Sequence, residues 1–376
     1  MTALQPFRLE AYFSVWEFTA RHHLTASDAE SLSLPDLLAL ATPEDRAAFE
    51  TLWLGYTETW GAPDLREAIA RTYERISSRE VLCVAGAEEG IYAALQTLLT
   101  PDDHAVVVTP TYQSLETIPC SICAVSGVPL DPDDGWSLDI DRVASVMRPN
   151  TRVVVVNFPH NPTGAVLSHE RFEALVELCR SHGAYLFSDE AYRLLGPEGA
   201  RHLPQAADVY ERGVSLGVMS KAYGLPGLRI GWLACQDRDL LSRIEQTKHY
   251  LSICNSGPSE RLAVIGLRAR DVILARNRRL ISQNLELMDR FFQAHPDLFE
   301  WTRPDGGCIA YPRYLGKDGV EAFAEALVKQ SGVLVLPASL YRSDLGVTPH
   351  DRFRVGVGRK GLEDGLAAFD RHLNRT

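Results

Sequence analysis

No stretch of the 376-residue chain approaches the ~18–20 consecutive apolar residues that a helix needs to cross a bilayer. The opening Met1-Thr2-Ala3-Leu4-Gln5-Pro6 lacks the basic segment and apolar run of a secretory leader. A cytoplasmic location is therefore expected. Excess positive charge is also missing: the formal net charge is -11, which argues against a nucleic-acid surface and favours solubility. No GxGxxG run follows a strand, so the dinucleotide fingerprint is absent. Metal-binding patterns are equally scarce. Cys120-Ser121-Ile122-Cys123 is a lone CxxC, with no second pair at zinc spacing and no strand running into its first cysteine, so ordinary cysteines are expected there. The cysteines number seven, an odd count that suits reduced thiols. His22 and His23 are adjacent and cannot share a helix face as an i,i+4 pair would. No metal site is expected. Internal repeats and low-complexity tracts are absent as well.

What is present is an ordinary globular composition, with 45% hydrophobic and 23% charged residues. The length favours a large domain plus a smaller one. Apolar strands are expected at Val81–Val84, Ala105–Thr109, Arg152–Asn157, Ala184–Phe187, Val214–Met219 and Ile230–Ala234, with helical segments between several of them. The four consecutive valines of Val153–Val156 match a strand buried on both faces. Ser168 and Gly183 sit where they can cap and end a helix over Glu170–Arg180. Asp64 and Glu67 have capping-box spacing, so a helix should begin after Asp64 and place Leu65, Ala68, Ile69 and Tyr73 on one face. Such strand–helix alternation predicts an α/β fold: a large domain with a mostly parallel sheet flanked by helices, plus a smaller α+β domain. Ligands are expected at the carboxyl ends of the strands. The expected division is an arm and part of the small domain over 1–45, the large domain over 46–255, and the small C-terminal domain over 256–376. Residues 1–45 show no clean strand. One long helix is expected over Glu260–Ala294, followed by small-domain strands at Gly306–Tyr311, Val333–Leu336 and Arg352–Gly358.

The residues that carry chemistry cluster at strand ends. Asn157-Phe158-Pro159-His160-Asn161-Pro162-Thr163-Gly164 closes the valine strand, and Ser188-Asp189-Glu190-Ala191-Tyr192 closes the next. Ser220-Lys221-Ala222-Tyr223-Gly224-Leu225-Pro226-Gly227-Leu228-Arg229 links two apolar strands through glycines that let the backbone approach a ligand. A lysine between such strands is costly to leave unpaired. The Val84 strand, the turn Ala85-Gly86-Ala87 and the helix start that follows offer free backbone N–H groups to an anion.

In this order and spacing, Asn161, Asp189-x-x-Tyr192, Ser220-Lys221 and Arg229 resemble the fold-type-I pyridoxal-phosphate (PLP) enzymes, the aspartate aminotransferase superfamily, and within it the class I/II aminotransferases. The wording of both motifs is also similar to capreomycidine-synthase-like members. The resemblance implies PLP as cofactor and Lys221 as the amine that carries it. It implies Asp189 at the pyridine nitrogen, Asn161 and Tyr192 at the phenolate oxygen, and Tyr112 stacked on the ring. Gly86, Ala87, Glu88, Ser220 and Arg229 would hold the phosphate, together with Tyr56 reaching across a homodimer whose sites lie at the subunit interface. Arg354 would bind the substrate carboxylate through a bidentate pair, with Arg352, expected on the same strand face, as the competing choice. The implied reaction is transamination between an amino acid and a 2-oxo acid, by transimination and a 1,3-proton shift through Lys221. Side-chain elimination and cyclisation of an arginine-like substrate is the alternative. Glu88 or Glu89 facing the pocket would suit a cationic substrate. A non-catalytic PLP-fold regulator is disfavoured by the acidic balance and the short segment before Tyr56, and a nucleotide-dependent oxidoreductase by the missing glycine fingerprint.

Overall fold

The computed structural model describes residues 4–196 and 202–374. The first three residues of the expected arm and the last two of the expected C-terminal domain lie outside them. Seven strands build the main sheet: β1 Val81–Val84, β2 His104–Thr109, β3 Ala124–Pro129, β4 Thr151–Asn157, β5 Tyr185–Asp189, β6 Gly213–Val218 and β7 Gly231–Ala234. Their spatial order is β1-β7-β6-β5-β4-β2-β3, and only β7 runs against its neighbours. The valines of β4 are buried, as a strand covered on both faces requires. The register sets Asn157 opposite Asp189, so the β4 and β5 motifs emerge side by side.

The helices needed to follow the site are α1 Arg8–Trp16, α2 Pro63–Ala70, α3 Ala87–Leu98, α4 Gln113–Ile122, α5 His169–His182, α6 Gly257–Arg268 and α7 Arg270–Gln293. Ser168 caps α5 by accepting from the Arg171 N–H at 3.2 Å, and Gly183 ends it in the left-handed conformation at φ 63°. The cap expected at Asp64 does not form. Helix α2 starts at Pro63, whose missing N–H suits a first turn, and Asp64 accepts instead from Leu65 N–H and pairs with Arg261. Leu65, Ala68 and Ile69 are buried as expected, whereas Tyr73 lies beyond the helix and accepts a hydrogen bond from Trp232.

The single long helix expected over Glu260–Ala294 is two helices, broken at Ala269. Each half serves a different partner: α6 packs on α2, while α7 packs on the C-terminal helix Leu362–Leu373. A second, antiparallel sheet joins β8 Ile309–Ala310, β9 Leu336–Pro337 and β10 Phe353–Gly356 in the order β8-β10-β9. The strand expected over Val333–Leu336 is split, because Val333–Leu334 pairs in parallel with His22–His23 instead. That pairing also puts a strand in the arm, where none was expected; two residues are too few to show a period. The chain then runs along β10: Gly356 N–H donates to Leu24 O (2.8 Å), Glu30 N–H to Gly358 O (2.8 Å), and Ala29 N–H to Lys221 O (3.2 Å). We call residues 24–30 the strap. Among the described residues no helix is long and apolar enough to cross a membrane, and no three His, Cys, Asp or Glu side chains gather as metal ligands would. The Cys120 and Cys123 thiols, at the end of α4, are both free.

Candidate active site

The cleft lies at the carboxyl edge of the main sheet, under the strap. Strand β6 ends at Val218 and delivers Ser220 and Lys221. Lys221 Nζ donates to Ser27 Oγ of the strap at 2.8 Å and lies 5.8 Å from the centroid of the Tyr192 ring. Burial lowers the pKa of this amine; Asp28 opposes that, Arg354 adds to it, and Asp189 opposes it again. Strand β5 delivers Asp189, which is 6% exposed and accepts from the Ala191 N–H at 3.1 Å. Burial lifts its carboxyl to about 6, against the pull of that N–H and of Lys221. Such a carboxyl lacks a strong cationic partner inside the protein. Tyr192 is buried beside it, its phenol lifted by the same desolvation.

Strand β4 delivers Asn161 through a brace the sequence reading did not single out. Asn157 Nδ2 donates to Asp189 O at 3.0 Å, and Asn157 Oδ1 accepts from Asn161 N–H at 2.8 Å. Asn161 Oδ1 in turn accepts from Arg354 at 3.1 Å. Arg354 is 1% exposed and donates also to Thr25 O of the strap at 2.7 Å, yet its Nε is buried without a partner. Arg352 goes elsewhere: it donates to Tyr311 O at 3.2 Å and covers the Trp136 ring. The expectation that both arginines share a strand face is corrected, because β10 begins only at Phe353 and Arg352 stands outside its alternation.

The anion-binding turn keeps its expected form. Gly86 is the N-cap of α3 at φ 88°, with no side-chain cap, so the first N–H groups stay free. The guanidinium of Arg229 lies against it: a Cβ on Gly86 would come within 2.4 Å of Arg229 Nη2. Arg229 is itself held in the left-handed region at φ 53°, and among the described residues it has no salt bridge and donates to Pro226 O at 3.3 Å. Ser220 is buried next to Lys221. Glu88 accepts from Ser114 Oγ at 3.1 Å; burial lifts it to about 7, and Glu10, Asp189 and Arg229 are close enough to act on it. Glu89 points the other way, accepting from Ala85 N–H and from Ser252 N–H at 3.0 Å. Tyr112 packs its ring against Phe7 at 5.2 Å, and its phenol is raised by burial and by Glu88, Glu10 and Asp189.

The structure thus brings Lys221, Asp189, Tyr192, Asn161, Arg354, Tyr112, Glu88, Arg229 and the Gly86-Ala87 turn around one space. It leaves out Tyr56, which is 89% exposed at the surface. Thr25, Ser27, Asn157, Ser114 and Tyr341 were not singled out from sequence. Asn157 opens a motif that was, and only its side-chain amide hinted at the bracing role; nothing local marks the strap residues.

The family model described as aminotransferase class I and II matches residues 26–366. Capreomycidine synthase of Streptomyces vinaceus is 31% identical, over 99% of this chain and 94% of that one. Arginine–pyruvate transaminase AruH of Pseudomonas aeruginosa is 30% identical, over 86% and 84%. The crystal structure of a PLP-dependent aminotransferase from Streptococcus suis superposes with a TM-score of 0.92 at 29% identity, covering 100% of this chain and 99% of that one.

Proposed function

Because the chain belongs to the class I and II aminotransferases, PLP-dependent enzymes of fold type I, we propose that it transfers an amino group between an amino acid and a 2-oxo acid. The cleft fits the cofactor on its own chemistry. It offers an amine of lowered pKa, a buried carboxyl without a strong cationic partner, and free N–H groups beside a guanidinium that forms no ion pair among the described residues. These are the partners that an aldehyde, a pyridinium and a phosphate require. When bound, PLP supplies an electron sink conjugated with the substrate amine.

Lys221 would hold the cofactor and afterwards move the proton at the substrate Cα, a task suited to an amine whose pKa desolvation lowers. Asp189 would hold the proton at the pyridine nitrogen, and that partner would return its carboxyl to the ionised form. Asn161 and Tyr192 would donate to the phenolate oxygen, and Tyr112 would cover one ring face. Gly86, Ala87, Glu88 through its backbone, Ser220 and Arg229 would bind the phosphate. Arg354, with a free buried Nε, would orient the substrate carboxylate. Tyr56 would serve the partner subunit of a homodimer. Trp53, Leu54 and Tyr56 are exposed, as are Tyr250 and Ile253. A 2.8 Å bond from Thr57 to Asn255 O joins the two segments, and the Ser252–Glu89 bond ties them to the first turn of α3. An apolar patch bordering the anion site is where a second copy would sit.

The observation that carries the proposal is the meeting of Lys221, Asp189 and Arg354 in one cleft. The test is a spectrum of the PLP-loaded protein during titration with amino acids. Bleaching of the cofactor band, with release of a keto acid and reversal by a 2-oxo acid, is expected. A band unmoved by every amino acid would overturn the proposal. A second reading is favoured by the full-length likeness to capreomycidine synthase: elimination followed by ring closure of an arginine-like substrate in the same cleft. A cyclic amino acid formed by loss of the side-chain leaving group, with neither keto acid nor ammonia released, would identify that branch.

A further inference from the structure

Helix α1 is fastened above the cleft from two sides. Arg8 N–H donates to Gln113 Oε1 at 2.9 Å, Gln113 Nε2 donates to Pro6 O at 2.9 Å, and Phe7 packs on Tyr112. On the other side Leu9 is buried in a cluster with Leu340 and Tyr341, and Arg8 donates to Arg342 O at 2.6 Å. Glu10 and Glu17 stand seven residues apart, two turns of helix, and so share a face. Among the described residues neither carboxylate has a hydrogen bond or an ion pair. Glu10 acts electrostatically on Tyr112, Glu88 and Tyr341, and Glu17 lies among Arg359, Asp28 and Lys221. Glu10 is exposed and Glu17 half-buried, and the ties of α1 to Tyr112, Gln113 and Tyr341 set their shared face at the mouth of the cleft.

The nearby cations are already committed. Arg354 holds Asn161 and Thr25, Arg359 forms a fork on Asp28 at 3.0 and 2.8 Å, and Arg8 turns to Arg342. Burial raises the Glu17 carboxyl and Glu10 adds to the effect, while Arg359 and Lys221, both bonded elsewhere, oppose it. A second, independent feature points into the same space. Tyr341 is 3% exposed, its hydroxyl has no partner, and the Arg354 guanidinium lies 5.7 Å from its ring centroid. A buried hydroxyl is costly to leave unbonded.

We infer that the amino acid this enzyme accepts carries a cationic side chain, guanidinium or ammonium, with Glu10 as its counter-ion, Glu17 adding attraction, and the Tyr341 hydroxyl accepting a hydrogen bond from it. This rests on the aminotransferase-family reading of the cleft and narrows its substrate class. A substrate with a second carboxylate meets two acids and no free cation.

The experiment uses the PLP-loaded full chain. Calorimetry compares 5-guanidinopentanoate, 6-(dimethylamino)hexanoate and hexanoate, none of which has a primary amine to condense with the cofactor, and half-reaction rates compare arginine, lysine, norleucine and glutamate. The better cationic probe should bind at least about tenfold tighter than hexanoate, the size of a charge-assisted hydrogen bond in a partly closed site. Glu10→Gln should remove most of that margin and leave hexanoate unchanged. Glu17→Gln and Tyr341→Phe should remove part of it, the latter without disturbing the ring. The ranking of guanidino against amino probe tells which cation is preferred. Equal binding of charged and neutral probes to the unmodified enzyme, or an equal loss of both in Glu10→Gln, overturns the inference. Norleucine reacting as well as arginine sinks only this inference, whereas failure of every amino acid sinks the functional reading beneath it.

Discussion

Arg354 and Arg352 are two residues apart, yet they live in different chemistry. The first is buried against Asn161 and the strap; the second covers the Trp136 ring. Arg354→Lys keeps a charge and loses the rigid fork. It should raise the KM for the amino acid by about tenfold or more, while Arg352→Lys should leave it within about twofold. Steady-state kinetics of the two variants decides between them. Glu190 offers a residue-scale prediction about pH. It is fully buried, accepts from Ala206 N–H and Ser215 Oγ, both at 2.8 Å, and burial raises its carboxyl to about 7. Because its folded pKa exceeds the unfolded value near 4.5, the folded state holds its proton more tightly. That contribution is complete below about pH 4.5 and is lost as pH rises through 7, by up to about 3 kcal/mol. Glu190→Gln should therefore melt increasingly above the unmodified protein between pH 5 and 8; a constant difference across that range would refute it. Most residues gathered at the cleft were legible because each ends an apolar strand within a short quoted motif. Thr25, Ser27, Glu10 and Tyr341 were not, since their roles depend on segments brought from both ends of the chain.

At the scale of elements, six of the seven main-sheet strands were legible because short apolar runs mark them, whereas the edge strand Ala124–Pro129, only partly buried and interrupted by Ser126 and Gly127, was not expected. The helix broken at Ala269 was not, because both halves carry the same apolar period and only their different packing partners separate them. The strap escaped notice for the opposite reason: it has no period at all. It is held by backbone bonds and by close approach. A Cβ on Gly356 would meet Ala26 O at 2.0 Å, and one on Gly358 would meet Asp28 O at 2.2 Å. Gly356→Ala should push the strap off β10, cost about 1–3 kcal/mol as overpacking does, and weaken the Ser27–Lys221 bond, lowering turnover. Gly346→Ala, with nothing within 4 Å of the added carbon, is the control. Calorimetric melting and half-reaction rates of the pair test this, and equal behaviour of the two variants would contradict it.

For the whole molecule, the α/β layering followed from strand and helix alternation, and the likeness to solved structures extends over the full chain. The division near residue 255 is still a proposal; helix α6, just past it, packs back onto α2. Assembly is the least legible level, since a single chain shows only what it leaves uncovered. With Trp53, Leu54, Tyr56 and Tyr250 between 80% and 92% exposed, the chain of 41.7 kDa is expected to sediment at twice that mass. Trp53→Glu should shift it towards the single-chain mass, and Tyr56→Phe should weaken PLP retention while the dimer persists. A monomer that keeps PLP as firmly would count against Tyr56's part in the site.

The strap also fixes an order of events in the making of the protein. Residues 24–30 are translated before the main sheet, but the strand that receives them, Phe353–Gly356, is translated after it. A nascent chain can assemble the seven-stranded sheet, whose last strand ends at Ala234, long before Thr25 and Ser27 can settle. Until then Lys221 lacks both the strap and Arg354, so the cleft is finished only once the chain has been made through Gly356.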